Sequence, residues 1–189
     1  MSKAWKFYID GEFCEAEGGA TFDRMDPSTG EVWAKFPAAS AGDVDKAVEA
    51  AQRAFENPEW ANMLPTQRGK LLFRLAELVA EHAGEIAELE TRDTGKVIRE
   101  TTGVTGYVAE FFRYFGGLAD KIEGSVLPID KPDMMVYTTR EPLGVVAAVV
   151  PWNSQMFLTA VKAGPALAAG NTVVVKASED GPSPVLKFA

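Results

Sequence analysis

The chain has 189 residues, an apolar fraction of 47% and a formal net charge of −8, which predict about one domain with a buried core. No run of about 18 uncharged apolar residues and no apolar N-terminal segment is present, so we expect neither a membrane span nor a secretory signal. A single cysteine, Cys14, argues against an internal disulfide and favours a reducing, cytoplasmic compartment. Because basic residues are scattered among acidic ones, we expect neither nucleic acid nor a membrane surface as a partner.

Residues 1–36 are predicted to form a β arm of two hairpins. Apolar residues alternate loosely on either side of Asp10-Gly11, and an Asp-Gly pair between apolar residues is a strong hairpin signal. The turn sequence DPSTG at residues 26–30 separates a second pair of predicted strands, residues 21–25 and 32–36.

Two helices with an apolar face are expected after the arm. Ser40 and Asp43 resemble the capping box of a first helix, and Pro65 opens a second. The only histidine, His82, falls on the apolar face of the second helix. It is predicted to be packed in the core or to lie at the boundary of the core. The residues assigned to these faces are Val44, Ala47, Val48, Ala51 and Phe55 in the first helix and Leu71, Leu75, Leu78 and Val79 in the second.

A third and a fourth helix are predicted over residues 86–92 and 97–115. The fourth is rich in aromatic residues, and Gly116-Gly117 is predicted to end it. Residues 124–132 then read as a loop, and residues 134–139 read as a strand with polar flanks.

The last part of the chain predicts a strand–helix–strand unit. Residues 145–150 and 172–175 are apolar on both faces, and a helical segment with a small-residue break at residues 168–170 lies between them. Such strands are typical of the middle of a parallel sheet. Two strands alone cannot bury themselves, so this unit is expected to be the first part of a larger fold.

Polar residues follow both strands at the edge where the strands end. They are Asn153 after the first strand and Lys176, Ser178 and Glu179 after the second. Ligands of open α/β sheets bind at this edge, where an amide can donate to a developing oxyanion and a charged pair can bind ribose hydroxyls. Two structural interpretations stay open: a tight turn at residues 151–153, and a strand-end charge pair that caps the next helix. The phosphate-binding sequence G-x-G-x-x-G is absent after the first strand.

Two other reactive side chains are weaker candidates. Lys162 lies among apolar neighbours on the helix of this unit, so it is either a partly buried amine or a solvated surface lysine. Cys14 lies in the arm next to Glu15, without a basic neighbour or a helix N-terminus, so we do not expect it to act as a nucleophile.

Several long motifs together resemble the aldehyde dehydrogenase superfamily. They are REPLGVVAAVVPWN at residues 140–153, GPALAAGNTVVVKASE at 164–179, TRDTGK at 91–96, DPSTGE at 26–31 and DGEF at 10–13. The resemblance covers essentially the whole chain.

The resemblance implies an incomplete α/β fold. A β arm and helices, residues 1–123, would be followed by the start of an oligomerisation strand region, residues 124–142. Residues 143–189 would form the first β-α-β unit of a Rossmann-like domain that binds NAD(P), with the first two of its parallel strands.

The resemblance also implies an NAD(P)-dependent enzyme that oxidises an aldehyde to a carboxylic acid through a cysteine thiohemiacetal and thioester. Asn153 would be the side-chain donor of the oxyanion hole, and Lys162 matches a charge-relay partner of the general base in some relatives. NAD is expected and NADP is the alternative, because a carboxylate at Glu179 would crowd a 2′-phosphate. The residues implied to bind or line the cofactor are Val150, Pro151, Trp152, Asn153, Lys176, Ser178 and Glu179.

Two further features follow from the same resemblance. Asp93, with main-chain oxygens near Met25 and Asp26, matches a structural monovalent-cation site of some members. Residues 124–142 match the start of the oligomerisation strand, so a homo-oligomer, a dimer or a tetramer, is expected.

The sequence departs from the family pattern at two places. Ser154-Gln155 replace the aromatic residue and the proline that commonly follow the asparagine, and Ala177 replaces the proline of the usual Lys-Pro-Ser-Glu. The catalytic cysteine, the general-base glutamate and the glycine-rich nicotinamide loop of the family lie further along than residue 189. We therefore expect the chain alone to be inactive. The alternative is a truncated, non-catalytic protein that acts through association or cofactor binding.

Overall fold

The computed structural model describes residues 3–189, which begin with the β arm. The arm consists of five short strands: β1 (Lys3–Ala4), β2 (Phe7–Ile9), β3 (Glu12–Cys14), β4 (Thr21–Asp26) and β5 (Glu31–Pro37). β2 pairs with β3 and β4 pairs with β5, both antiparallel, while β1 joins β5 in parallel. Asp10 and Gly11 have positive φ angles of 55° and 79°, as a two-residue hairpin turn requires. Both predicted hairpins are confirmed.

Five helices follow the arm: α1 (Ala41–Glu56), α2 (Pro58–Ala61), α3 (Pro65–Glu81), α4 (Ala83–Thr94) and α5 (Ile98–Leu118). The predicted capping box is confirmed, because the Ser40 hydroxyl accepts from the Asp43 N–H at 3.2 Å and the Asp43 carboxylate accepts from the Ser40 N–H at 2.9 Å. Asp43 also accepts from the backbone N–H of Glu17 at 3.0 Å, so this carboxylate joins the arm to α1.

The buried face of α1 differs in part from the predicted one. Ala51 is buried as predicted, but Val44 and Val48 are exposed and Ala50, which was not predicted, is buried. The helix approaches the later strands through these alanines, and the Thr172 hydroxyl donates to the Ala51 carbonyl at 2.9 Å. Small side chains permit this close approach, which the larger valines would prevent.

The buried face of α3 is also rotated relative to the prediction. Leu71 and Leu78 are exposed, and His82 is a half-exposed residue at the junction of α3 and α4, 3.6 Å from the Glu85 carboxylate. Of the two predicted positions of His82, packed or at the boundary, the structure excludes the packed one. Because α3 carries apolar residues on most of its circumference, its periodicity does not identify one face. Leu72 and Ala76 enter the core together with Val79, which was predicted to do so, and the predicted Leu75 packs against this core.

Gly116-Gly117 lie inside α5 and do not end it, contrary to the prediction. Their role is a close crossing of α3 and α5. A Cβ atom on Gly69 would lie 2.5 Å from the Gly116 carbonyl oxygen, and one on Gly116 would lie 3.0 Å from the Gly69 carbonyl oxygen. Packing of the two backbones against each other outweighs the low helix propensity of glycine.

Residues 120–143 form a largely exposed connection that contains two short antiparallel strands, β6 (Val126–Leu127) and β7 (Val136–Tyr137). The strand predicted over residues 134–139 is thus only two residues long, and the loop predicted over residues 124–132 contains its partner. Cross-strand pairing, which local sequence does not reveal, decides which residues form the ladder. The exposed apolar side chains of the connection include Val126, Leu127, Met134, Met135 and Tyr137.

The predicted β-α-β unit is confirmed. Its elements are β8 (Val145–Val149), α6 (Gln155–Ala168) and β9 (Thr172–Lys176), followed by α7 (Ser183–Phe188). β8 and β9 are parallel, with Val149 opposite Lys176. Asn171 positions the start of β8, because its side-chain oxygen accepts from the N–H groups of Leu143 at 2.6 Å and Gly144 at 3.1 Å.

The main core lies where α3, α4, α5 and α6 meet. The buried apolar side chains of this core include Leu72, Ala76, Val79, Ile86, Val108, Phe112, Met156 and Ala160.

Within residues 3–189, no helix has the length and apolar character that crossing a membrane requires.

Candidate active site

The carboxyl ends of β8 and β9 lie side by side. Val149 pairs with Lys176, and the Val150 N–H donates to the Lys176 carbonyl at 3.1 Å. The turn that carries Asn153 and the segment that carries Glu179 therefore leave the same edge of the sheet. This arrangement is the one expected for a ligand crevice of an α/β sheet.

The turn after β8 presents an amide to solvent. Val150 is buried, and Pro151, Trp152 and Asn153 are exposed, the last two within a single turn of 3-10 helix. Within residues 3–189 the side-chain amide of Asn153 makes no hydrogen bond. Its N–H groups are thus available to an oxygen atom outside this chain.

The segment after β9 presents a charged pair. The Lys176 ammonium lies 2.8 Å from the Glu179 carboxylate, and both side chains are more than half exposed. The hydrogen bond from Lys176 holds the pKa of Glu179 below its ordinary value. The Ser178 hydroxyl accepts from the Asp180 N–H at 3.3 Å and so stabilises the turn that follows β9. Donor and acceptor groups of this kind suit a vicinal diol.

Lys162 is half-buried on α6 and makes no contact with the Asn153 turn among the described hydrogen bonds. Its ammonium lies 3.4 Å from the Leu158 carbonyl, one turn earlier on the same helix. The predicted relay role of Lys162 therefore has no partner within residues 3–189.

Lys96 and Glu90 belong to the site, although sequence reasoning gave them no role. The Lys96 ammonium donates to the Asn153 carbonyl, to the Ser154 hydroxyl at 3.1 Å and to the Glu90 carboxylate at 3.2 Å. Glu90 is fully buried, and its burial raises its pKa although Lys96 opposes that shift. The signal in the sequence was the TRDTGK motif, which places Lys96 directly after Gly95, the left-handed end of α4.

Two of the groups predicted to hold a cation, the Asp93 carboxylate and the Asp26 main-chain carbonyl, accept hydrogen bonds from other residues. Asp93 is fully buried, and its carboxylate accepts from the Ser183 N–H at 2.9 Å and the Ser183 hydroxyl at 2.7 Å. The Arg24 guanidinium donates to the Asp93 main-chain carbonyl. The Asp26 main-chain carbonyl accepts from the Gly30 N–H at 2.8 Å, and Met25 lies in β4 opposite Val32. Among residues 3–189 no group of three or more His, Cys, Asp or Glu side chains could hold a metal ion. The cation site stays a prediction.

Arg24 only partly compensates the buried charge of Asp93. The Arg24 Nε lies 3.8 Å from the nearer carboxylate oxygen, and neither atom makes a hydrogen bond of regular geometry. This distance permits electrostatic attraction without a directed bond. Burial consequently dominates and raises the pKa of Asp93 from 3.8 to about 6.

We expect the buried Asp93 carboxyl to make the free energy of unfolding fall as the pH rises. A carboxyl group whose pKa is lowered on folding has the opposite effect. Between pH 4 and 6, Asp93 is ionised in the unfolded chain but still protonated in the native protein. Binding of this proton stabilises the native protein at low pH, and that stabilisation is lost as the pH rises through 6. Asp93→Asn mimics the protonated form. The free energy of unfolding of the variant, relative to the wild type, should rise by about 2 kcal/mol between pH 4 and 7.

Urea unfolding of both proteins at several pH values measures this difference. Contributions from other carboxylates are present in both proteins and cancel in the comparison. A difference that stays constant from pH 4 to 7 would show that the Asp93 carboxyl titrates normally.

The sequence model of the aldehyde dehydrogenase family matches residues 13–189. The chain belongs to this family. Among similar proteins is (Z)-2-((N-methylformamido)methylene)-5-hydroxybutyrolactone dehydrogenase of Acinetobacter baylyi, 58% identical over 185 residues, which covers 98% of this chain and 38% of that protein. Cytosolic 10-formyltetrahydrofolate dehydrogenase of Xenopus tropicalis is 43% identical over 188 residues, 97% of this chain and 21% of that protein.

Solved structures of aldehyde dehydrogenases have the same fold over this part. Betaine aldehyde dehydrogenase from Staphylococcus aureus in complex with NAD+ superposes with a TM-score of 0.92 at 36% identity, covering 97% of this chain and 37% of that one. An NAD-dependent aldehyde dehydrogenase from Sinorhizobium meliloti superposes with a TM-score of 0.94 at 33% identity, covering 100% of this chain and 38% of that one. The chain thus spans little more than a third of the aldehyde dehydrogenases to which it is similar.

Proposed function

We propose that this chain is the N-terminal part of an NAD(P)-dependent aldehyde dehydrogenase that oxidises an aldehyde to a carboxylic acid. The observation that carries the proposal is the pairing of Val149 with Lys176. It brings the Asn153 amide and the Lys176–Glu179 pair to one edge of the sheet, within a chain that belongs to this family.

Each of these groups has a proposed task. When a cysteine thiolate adds to the aldehyde, the carbonyl oxygen becomes negative, and the Asn153 N–H donates to it. Lys176 and Glu179 bind the ribose hydroxyls of the dinucleotide, with Val150, Pro151, Trp152 and Ser178 shaping the cleft around it. Bound NAD supplies the hydride acceptor, and water then releases the acid from the thioester. The carboxylate of Glu179 favours NAD over NADP, because it repels a 2′-phosphate.

Three further roles stay proposals for the complete protein. Lys162 is proposed as a charge-relay partner of the general base, and Asp93, with Met25 and Asp26, as part of a cation site. The exposed apolar strands β6 and β7 are proposed as the start of an interface between copies in a homo-oligomer, in the cytoplasm.

The nucleophile and the general base are proposed to come from outside residues 1–189. The single cysteine, Cys14, lies opposite Phe7 in the β2–β3 hairpin and not at the edge that carries Asn153. We therefore expect the purified chain to form no NADH from NAD and a panel of aliphatic and aromatic aldehydes. NAD binding without turnover would agree with this expectation, and robust turnover would overturn it.

A fusion tests whether the chain is competent for catalysis. Residues 1–189 replace the matching N-terminal part of the Acinetobacter baylyi relative, which supplies the rest of the fold. We expect this fusion to oxidise aldehydes and reduce NAD, as followed by NADH absorbance. A folded fusion that binds NAD but shows no turnover would favour the alternative, a protein that associates or binds cofactor without catalysis.

A further inference from the structure

Within the turn that carries Asn153, the Ser154 hydroxyl donates to the adjacent Asn153 carbonyl. Ser154, which precedes α6, provides no side-chain cap for that helix and has φ and ψ of −172° and 61°. Gln155 occupies the first helical position, where a proline would fix φ in advance. These local features do not tie the turn to α4 or α5, so its position also depends on contacts with other elements.

Lys96 supplies such a contact from the segment between α4 and α5. Its ammonium donates to the Asn153 carbonyl and to the Ser154 hydroxyl, and thereby joins the two residues immediately before α6. Both acceptors lie 57 or 58 residues away in sequence. Lys96 is thus a tertiary cross-link onto the turn, and its side chain is only 25% exposed.

Glu90 anchors Lys96 in this position. The two charged groups are 3.2 Å apart and the Glu90 side chain is 1% exposed, so separating the pair would leave a buried, uncompensated charge. The backbone N–H of Met156 in the first turn of α6 also lowers the pKa of Glu90, although the carboxylate oxygen Oε2 makes no hydrogen bond of regular geometry. Glu90 therefore faces both the ammonium and the start of α6.

We propose that Lys96, anchored by Glu90, is a positioning residue that fixes the main chain of Asn153 and so aims its side-chain amide at the substrate oxygen. The aim of the amide rests on the proposed function, whereas the fixing of the turn does not. A preorganised donor is effective only when its supporting contacts hold it within a fraction of an ångström. Lys96 itself does not touch the substrate.

The first test measures backbone order in the 189-residue chain by 15N NMR relaxation. In the wild type the amides of Asn153 and Ser154 should have order parameters of about 0.85, typical of rigid backbone, and in Lys96→Met they should fall below about 0.6. The matched control is Lys70→Met, because Lys70 is exposed on α3 and makes no ion pair within residues 3–189. Amides of β9 should be unchanged in both variants, which separates local loosening from general destabilisation.

A second variant keeps the test decisive if Lys96→Met does not fold. Glu90→Gln has nearly the same shape but removes the anchoring charge, so the order parameters of Asn153 and Ser154 should fall between those of the wild type and about 0.6. Unchanged order at Asn153 and Ser154 in a folded Lys96→Met or Glu90→Gln protein would overturn the positioning role.

The second test uses the fusion with the Acinetobacter baylyi relative. Lys96→Met should lower kcat by about tenfold or more, while KM for the aldehyde and Kd for NAD change less than about twofold, because an interaction that matters only in the transition state is weakened. An unchanged kcat together with loosened order would overturn the link to catalysis. If the wild-type fusion itself is inactive, the proposed function fails, and the NMR result still decides whether Lys96 fixes the turn.

Discussion

Replacing Asn153 with alanine in the fusion should lower kcat by about 10²- to 10³-fold. Removal of one preorganised oxyanion donor costs about 3–4 kcal/mol of transition-state stabilisation, and the Asn153 amide is exposed at the sheet edge with no competing partner within residues 3–189. The affinity for NAD should stay within about twofold, because Lys176 and Glu179 are untouched. Steady-state kinetics and a titration with NAD measure the two effects separately.

Asn62→Ala is the matched control for Asn153→Ala. Asn62 is exposed at the end of α2, and its side chain makes no hydrogen bond within residues 3–189, so this variant should behave as the wild type. A turnover of Asn153→Ala that equals that of the control would remove Asn153 from the oxyanion role. A parallel loss of NAD affinity would show instead that the turn serves cofactor binding.

Gly69→Ala should destabilise the chain by about 3 kcal/mol, although alanine favours helices. The new Cβ would lie 2.5 Å from the Gly116 carbonyl oxygen. Backbone atoms cannot rotate away as a flexible side chain can, so α3 and α5 must separate, and overpacking of this kind costs about 1–3 kcal/mol or more. Urea unfolding followed by circular dichroism measures the change.

Gly103→Ala provides the matched control in a helix. Gly103 lies within α5, and a Cβ atom there would meet no heavy atom within 4 Å. The substitution should therefore stabilise the chain by about 0.5–1 kcal/mol through the higher helix propensity of alanine. If both substitutions shifted stability in the same direction, the close crossing of α3 and α5 would not be needed for the fold.

Only part of the candidate site could be predicted from the sequence. The motif around Asn153, Lys176 and Glu179 could be recognised, because two apolar strands end directly before these polar residues. The contribution of Lys96 could not be derived, since nothing in a linear motif states that its ammonium reaches a carbonyl 57 residues away. The cation role of Asp93 came from resemblance alone and stays a prediction; in the structure this carboxylate accepts from Ser183.

The sequence by itself determined the features that act over a few residues. The Asp10-Gly11 turn, the capping of α1 by Ser40 and the order of β8, α6 and β9 follow from backbone preferences, side-chain to backbone hydrogen bonds and hydrophobic runs. These interactions are complete within one segment, so their signals can be read without knowing what lies beside them.

Only the tertiary structure decided which face of a helix is buried and which residue supports another. Val44 and Leu71 are apolar but exposed, and Gly116 lies within a helix that its propensity disfavours. In each case a neighbour distant in sequence sets the outcome, because close packing rewards complementary shape and a buried charge requires a partner. The contact of Lys96 with the Asn153 turn has the same origin.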